Sequence, residues 1–442
     1  MSWLANDGAT KQFGWAIHND KPTMADQSYS RRRFLSYLAA SPVLLGHLDL
    51  SERTAGDLDA FSRLLEQEPA LIPTARHALN VFDFEPVAKK KLPPAHWAYL
   101  ATGSDDDGTI RANREGFNRY EIRVRRLVDV SRIDPSVGIF GAKWPTPIVI
   151  NPVGSQKAFY PEGELAVARA AKSLNHLQVL STVATTSFED VSAARGQPVW
   201  FQLYHLPDWS QTLQLIKRVE KAGCPAVAFT VDLLGGSNRE TLVRDAQSDT
   251  RTCSNCHVGG RPMPGVVSVG FRDNRRKPML ADFPAGTATE TSTPTWDYVK
   301  RIKDATSMKV LLKGIVTRED AELAVANGVD GLFVSNHGGR AENSLRATIT
   351  SLPEVVAGVA NRIPVIVDGG FRRGTDIFKG LGLGATAVGI GRPYIWGLAA
   401  FGQEGVEVVL TLLRKELELV MRQAGTVSVK AISREYVAPR AV

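Results

Sequence analysis

The chain has 442 residues, 43% of them hydrophobic, enough to bury one large α/β domain or two ordinary ones. Its 53 basic and 46 acidic residues leave a net charge of +7, which suits an anionic ligand or surface. The basic residues form no stripe interleaved with aromatics, which argues against a nucleic-acid partner, and three cysteines exclude a disulfide framework.

Residues 1–50 read as a tail. Ser30-Arg31-Arg32-Arg33-Phe34-Leu35 and the uncharged segment through Gly46 match a twin-arginine export signal. That reading predicts a periplasmic protein; the alternative is a cytoplasmic one whose N-terminal amphipathic helix opens on three arginines. Met24 is a second candidate start. The uncharged run is shorter than the roughly 20 apolar residues needed to span a bilayer, and Pro42 interrupts it. Residues 51–130 predict a mixed helical segment punctuated by Pro69, Pro73 and Pro86. It ends in an acidic turn, Asp105-Asp106-Asp107-Gly108, that leads into the main domain.

Over 131–430, short apolar runs alternate with helical stretches, the signature of a parallel sheet with helical crossovers. Strands are predicted over 148–151, 178–183, 199–204, 226–232, 309–315, 331–337, 364–370 and 387–391. Eight such units over about 250 residues is the arithmetic of an α/β TIM (β/α)8 barrel. Helices are expected over 163–174 and 209–222, over 319–327 with Thr317 as cap and Gly328 as stop, and over 405–424 as a closing helix. The spacing breaks once, at a long Gly/Pro/Arg-rich insertion over 240–295 after strand four, which reads as an active-site-face loop. Cys224 reads as a buried small hydrophobe. Residues 431–442 read as a tail.

Barrel enzymes carry their reacting groups at the C-terminal ends of the strands. Here those ends hold Asn151-Pro152-Val153-Gly154, Ser181, Gln202 and Tyr204, Thr230 and Asp232, Lys313, Ser335 and His337, Asp368-Gly369-Gly370, and Gly391-Arg392. A solvated turn explains any one of them; eight coincidences of position call for a site. In Ser335-Asn336-His337-Gly338-Gly339-Arg340 the histidine can take a proton and the arginine can fork onto a carboxylate. The glycines and arginines after strands seven and eight occupy the place where barrels commonly hold a phosphate.

The runs Ser-Asn-His-Gly-Gly-Arg (335–340), Asp-Gly-Gly-Phe-Arg-Arg-Gly-Thr-Asp (368–376), Phe-Gln-Leu-Tyr (201–204) and Gly-Arg-Pro-Tyr-Ile-Trp (391–396) resemble the FMN-dependent α-hydroxy-acid oxidases and dehydrogenases. That family includes glycolate oxidase, lactate oxidase and monooxygenase, mandelate dehydrogenase and the flavocytochrome lactate dehydrogenases. The resemblance, over about 92–430, implies FMN as cofactor and oxidation of an L-2-hydroxy acid, lactate-like or bulkier, to the 2-oxo acid. Quinone, a cytochrome or oxygen would be the acceptor, and a homotetramer the assembly. It implies His337 as base with Asp232 holding its imidazole, Arg239 and Arg340 on the substrate carboxylate, and hydrogen bonds to substrate from Tyr99 and Tyr204. Lys313 would lie near N1 and O2 of the flavin, with Pro152, Val153, Gly154, Ser181, Gln202 and Thr230 around the ring. Ser335 would meet the ribityl chain. Asp368, Gly369 and Gly370 would line the cofactor, and Arg372, Gly391 and Arg392 would hold its phosphate.

The sequence departs from the family pattern in four places. Gly154 stands where alanine is usual, and Ala341 where glutamine is common. Val183 and Gly236 replace bulkier residues, which predicts a wider pocket. The arginines of the 240–295 insertion suit an anionic membrane or acceptor protein.

Two other readings stay open. One is another FMN- or phosphate-binding barrel, such as an isomerase. The other is an electron carrier, because Cys253-Ser-Asn-Cys256-His257 matches the c-type haem attachment pattern; a loop disulfide or partial metal site would also account for those residues. No other metal site is expected.

Overall fold

The computed structural model describes residues 71–233, 236–251, 276–284 and 293–440. The twin-arginine segment and the Cys253, Cys256 and His257 cluster lie outside the described residues.

Eight parallel strands close into a barrel. They are β1 (Ile148–Ile150), β2 (Leu177–Ser181), β3 (Trp200–Leu203), β4 (Ala226–Thr230), β5 (Lys309–Lys313), β6 (Gly331–Val334), β7 (Val365–Val367) and β8 (Ala387–Ile390). Each pairs with its neighbour in sequence, and β8 returns to β1 with Val388 opposite Ile148. Apart from Lys309, every residue in these strands is buried, as expected of a sheet walled by helices on one face and filled on the other.

The period of two sorts the side chains. Val149, Val179, Ala228, Leu311, Phe333 and Ile366 pack together inside the barrel. Ile148, Ile150, Leu180, Phe201, Leu312 and Val334 join the outer core against the helices. A hairpin before β1 pairs Val137–Ile139 with Ala142–Trp144, and its Val137, Ile139 and Trp144 join the inner cluster. Its tip, Phe140, packs 5.4 Å from the Trp200 ring at the start of β3, so the hairpin caps the N-terminal end.

The architecture is the TIM barrel expected, with N-terminal helices Phe84–Lys91, Pro94–Ala101 and Gly108–Glu115. Four local expectations need correction. The predicted strands ran past the observed ends by one to three residues, because the ladders stop where the chain turns outward over the barrel. The start of the 240–295 insertion forms a helix, Glu240–Ser248, with Leu242 and Ala246 buried and its face packed on Pro94–Ala101. The closing helix begins at Arg392 and runs to Ala424, broken at Phe401 and Gly402, where Gly402 takes φ +64°. Within the expected C-terminal tail, Val437–Pro439 pairs antiparallel with Tyr120–Ile122. Cys224 is buried as expected, and burial pushes its thiol up to about 12.

Candidate active site

The same alternation that fills the barrel builds the site. One inward step beyond the apolar layer come Asn151, Ser181, Gln202, Thr230, Lys313, Ser335 and Asp368, all buried. They bond to one another, although Asn151 Oδ1 has no partner. Ser181 Oγ donates to Gln202 Oε1 (3.1 Å) and Gln202 Nε2 to Thr230 Oγ1 (2.8 Å). Lys313 Nζ donates to Ser335 Oγ (2.9 Å), Ser335 Oγ to Asp368 Oδ1 (2.8 Å), and Asn151 Nδ2 to Asp368 Oδ2 (2.8 Å).

Above this layer lies an open cavity. Of the expected residues, Tyr99, Pro152, Val153, Gly154, Tyr204, Arg239, Lys313, His337, Arg340, Asp368, Gly369, Gly370, Arg372, Gly391 and Arg392 line it, as do Val183 and Gly236. Ser181, Gln202, Thr230, Ser335 and Asp232 stand behind the wall rather than in it.

His337 follows β6 in a left-handed turn (φ +57°), and Gly338 and Gly339 continue it. Only glycine fits at 339, where an added Cβ would meet the backbone N of Ile110 at 2.7 Å. The turn carries the imidazole over the cavity, and Ser335 Oγ receives the His337 N–H at 3.1 Å. His337 Nδ1 lies 2.8 Å from Asp232 Oδ1. That carboxylate fixes the proton on Nδ1, so Nε2 presents its lone pair to the cavity, 3.3 Å from Tyr204 Oη.

Burial lowers the His337 pKa below the ordinary histidine value, and Lys313 adds to this while Asp232 opposes it. The ring is therefore neutral near pH 7 and available as a base. Burial alone would raise Asp232, but the charges of His337 and Lys313 outweigh it and hold the carboxyl below its usual value. Its Oδ2 has no hydrogen-bond partner, with Lys313 Nζ 3.8 Å away. Asp368 is pushed up by its burial, against Lys313 at 3.9 Å.

Three arginines meet at the C-terminal end of helix Pro94–Ala101. Arg340 Nη1 donates to Tyr99 O (2.8 Å), and its guanidinium lies 4.4 Å over the Tyr99 ring. Arg239 Nη2 donates to Tyr99 O, Thr102 O and Thr102 Oγ1. Arg392 donates through Nε to Leu100 O (2.9 Å), through Nη1 to Gly338 O (2.7 Å) and through Nη2 to Thr102 O (3.3 Å). Helix C-termini leave carbonyls unsatisfied and carry partial negative charge, so they collect cations. Arg372 stacks 4.6 Å over Trp396. Burial brings Arg372 down to about 10 and Arg392 to about 9, both still charged at neutral pH.

Arg239, Lys313, Arg340, Arg372 and Arg392 line the cavity with a single lining carboxyl, Asp368, while Asp232, Asp107 and Glu85 lie nearby; the surplus of positive charge is one that an anionic occupant would neutralise. Arg239 Nε and Arg372 Nε are buried donors without acceptors. Beside them the chain supplies a wall of bare backbone. Gly370 takes φ +83°, and a Cβ there would strike Asn113 O at 2.2 Å; a Cβ at Gly391 would meet nothing nearer than Val153 at 4.0 Å. Orphaned donors, a glycine cradle and surplus cations fit the phosphate of FMN, and Lys313 on the cavity wall fits its polar ring edge.

Several residues of the site have no sequence signature. Glu164, fully buried, accepts from Gln156 N (3.1 Å) and Thr185 N (2.7 Å), tying the turns after β1 and β2. Asn113 and Asn336 exchange side-chain hydrogen bonds of 2.9 and 3.0 Å, pinning the His337 turn to helix Gly108–Glu115. Lys277, buried in the insertion, donates to Ser155 Oγ. Each is a common residue type; Asn113 and Asn336 lie more than 100 residues apart, as do Lys277 and Ser155, and the partners of Glu164 lie in two separate turns.

The sequence matches the model of the FMN-dependent dehydrogenase family over residues 88–439. It is 40% identical over 358 residues to glycolate oxidase 1 of Zea mays, covering 81% of this chain and 95% of that protein. Against glycolate oxidase of Spinacia oleracea the identity is 41% over 359 residues, with the same coverage. A crystal structure of mandelate oxidase with (S)-4-hydroxymandelic acid matches with a TM-score of 0.73 and 37% identity, over 83% of this chain and all of that one. With that match, its barrel and its histidine–carboxylate pair, the chain belongs to the FMN-dependent dehydrogenase family.

Proposed function

We propose that this protein oxidises an (S)-2-hydroxy acid to the 2-oxo acid. The observation that carries the reading is that His337 Nε2, unprotonated because Asp232 holds Nδ1–H, opens on the same cavity as Arg239 and Arg340. FMN, when bound, supplies a two-electron acceptor.

The chain's own residues do the rest. Arg239 and Arg340 receive the substrate carboxylate and fix the orientation of the carbon that bears the hydroxyl. Tyr204 and Tyr99 offer hydroxyls to the substrate oxygens. His337 Nε2 takes the proton released as the alcohol becomes a carbonyl, and Asp232 stabilises the imidazolium. Lys313, Arg372 and Arg392 would hold the cofactor's anionic groups.

Val183 and Gly236 on the cavity wall support acids bulkier than glycolate. At Gly154 an added Cβ would lie 2.5 Å from Val183 Cγ2, so an alanine there requires Val183 to move. The experiment is anaerobic titration of the FMN-loaded protein with a panel of 2-hydroxy acids, followed by reoxidation with quinone, cytochrome c and oxygen in turn. Bleaching of the flavin band by (S)-lactate or a bulkier acid is expected; no bleaching by any 2-hydroxy acid would refute the proposal. The twin-arginine pattern supports export to the periplasm, which fractionation of cells making the full chain tests.

A further inference from the structure

We infer that Thr102 is a positioning residue for Arg239 and so sets how tightly the site grips a carboxylate; the inference rests on the proposed oxidation of a 2-hydroxy acid. Arg239 is 7% exposed and sits just before helix Glu240–Ser248, in a stretch without regular structure that does not itself fix the side chain. What fixes it is the end of another helix. Its Nη2 meets Thr102 Oγ1 at 2.9 Å, Thr102 O at 2.9 Å and Tyr99 O at 3.1 Å. The Thr102 hydroxyl donates its own proton to Ala98 O (2.7 Å), which aims a lone pair at the guanidinium. With Nη2 satisfied and the plane held, Nε is left without a partner in a residue that lines the cavity. The two carbonyls are present whatever stands at 102. The hydroxyl is the part of this grip that a substitution can remove.

The test uses the full-length FMN-loaded protein, Thr102→Val and Thr102→Ser. Oxalate, a carboxylate with no hydrogen to lose, is titrated anaerobically against the flavin spectrum, and reduction by (S)-lactate is followed by stopped flow. Losing one hydrogen bond to a charged group should weaken oxalate about tenfold in Thr102→Val and raise the half-saturating lactate concentration by a similar factor. The limiting reduction rate should change less, and Thr102→Ser should restore both. In an Arg239→Lys background Thr102→Val should add little, because a residue acting through another is not additive with it. Wild-type oxalate affinity in Thr102→Val, no rescue by serine, or full additivity with Arg239→Lys would each overturn the inference. If valine impairs folding, Thr102→Ala removes the hydroxyl without adding a methyl, and it must show the same selective loss of oxalate. Failure of the wild-type protein to bleach with any 2-hydroxy acid would defeat the proposed function. Bleaching in the wild type with unchanged oxalate binding in Thr102→Val would defeat only the role of Thr102.

Discussion

His176 at the N-terminal end of the barrel is buried and His337 at the C-terminal end is half-buried, and desolvation drives both below the ordinary histidine pKa. His176 precedes β2, with Nδ1 3.2 Å from both Thr146 Oγ1 and Ile148 O, and its pKa falls to about 4, helped by the charges of Arg414 and Arg195. Both partners of its Nδ1 are neutral. His337 is also desolvated but has a carboxylate on Nδ1 and an open cavity at Nε2. Burial alone makes a histidine inert. Burial with a charged partner, beside space for a substrate, makes it a base that can bear a transient charge.

The comparison breaks most sharply at His337 itself. His337→Ala should retain FMN and lose flavin reduction by at least about 10²–10⁴-fold, the range general-base catalysis supplies, whereas His176→Gln should leave the limiting reduction rate unchanged. Stopped-flow reduction under anaerobic conditions checks both, and a His337→Ala rate near wild type would remove the residue from its role.

Asp232→Asn turns the upper histidine into something closer to the lower one. Reduction should slow by about 10²-fold, because the imidazolium loses its partner. The pH dependence gives a second readout. In the wild type the rate should rise with pH through the pKa of His337, which lies below 6.5. Removing the charge that opposes this depression should move the acid limb to still lower pH. A limb that stays in place would mean that Asp232 does not interact with the titrating group.

A smaller effect is expected at Arg340. Lysine keeps the charge but loses the planar fork, so Arg340→Lys should weaken substrate binding about tenfold and slow reduction as orientation is lost. Steady-state and reductive half-reaction constants together test this, and unchanged constants would leave the carboxylate to Arg239 alone.

The smallest effect on activity, and the sharpest on stability, concerns His176. Its folded pKa of about 4 lies below the unfolded 6.5, so the unfolded chain binds the extra proton first as pH falls. Its contribution is fully present above 6.5 and is lost on acidification toward 4, up to about 3 kcal/mol at 1.36 kcal/mol per unit. His176→Gln should flatten the fall in urea midpoint between those pH values; an unchanged slope would assign the acid sensitivity to other groups.

Much of this was legible because periodicity and chemistry coincide. Apolar runs such as 226–230 marked the strands, and the next inward residue was polar in strand after strand. The alternation does not say where a ladder ends, so His337 was read as part of a strand although its backbone is left-handed. Helix Glu240–Ser248 was hidden by the Gly/Pro-rich sequence around it, and its buried Leu242 and Ala246 make sense only against Pro94–Ala101. Thr102, Asn113 and Glu164 were invisible for a different reason. Their roles are set by partners more than 100 residues away or by a turn the sequence does not announce, and a threonine or glutamate carries no mark of being buried.

The pairing of β8 with β1 also has a consequence for biogenesis. Until residue 388 emerges from the ribosome, Ile148 has no neighbour on that side, and β1 is an open edge able to recruit foreign strands. Long-range closure of this kind is slow rather than costly, since loop entropy grows by only about 0.6 kcal/mol per doubling of length. Gly391 and Arg392 follow β8 directly, so the same event that seals the sheet completes the phosphate cradle. Flavin loading is then expected after translation of the barrel, because a ligand that binds the closed form stabilises it by mass action. Stalled nascent chains ending before residue 387 should bind no FMN, whereas chains extending past the closed barrel should; flavin on the shorter chains would contradict this order of events.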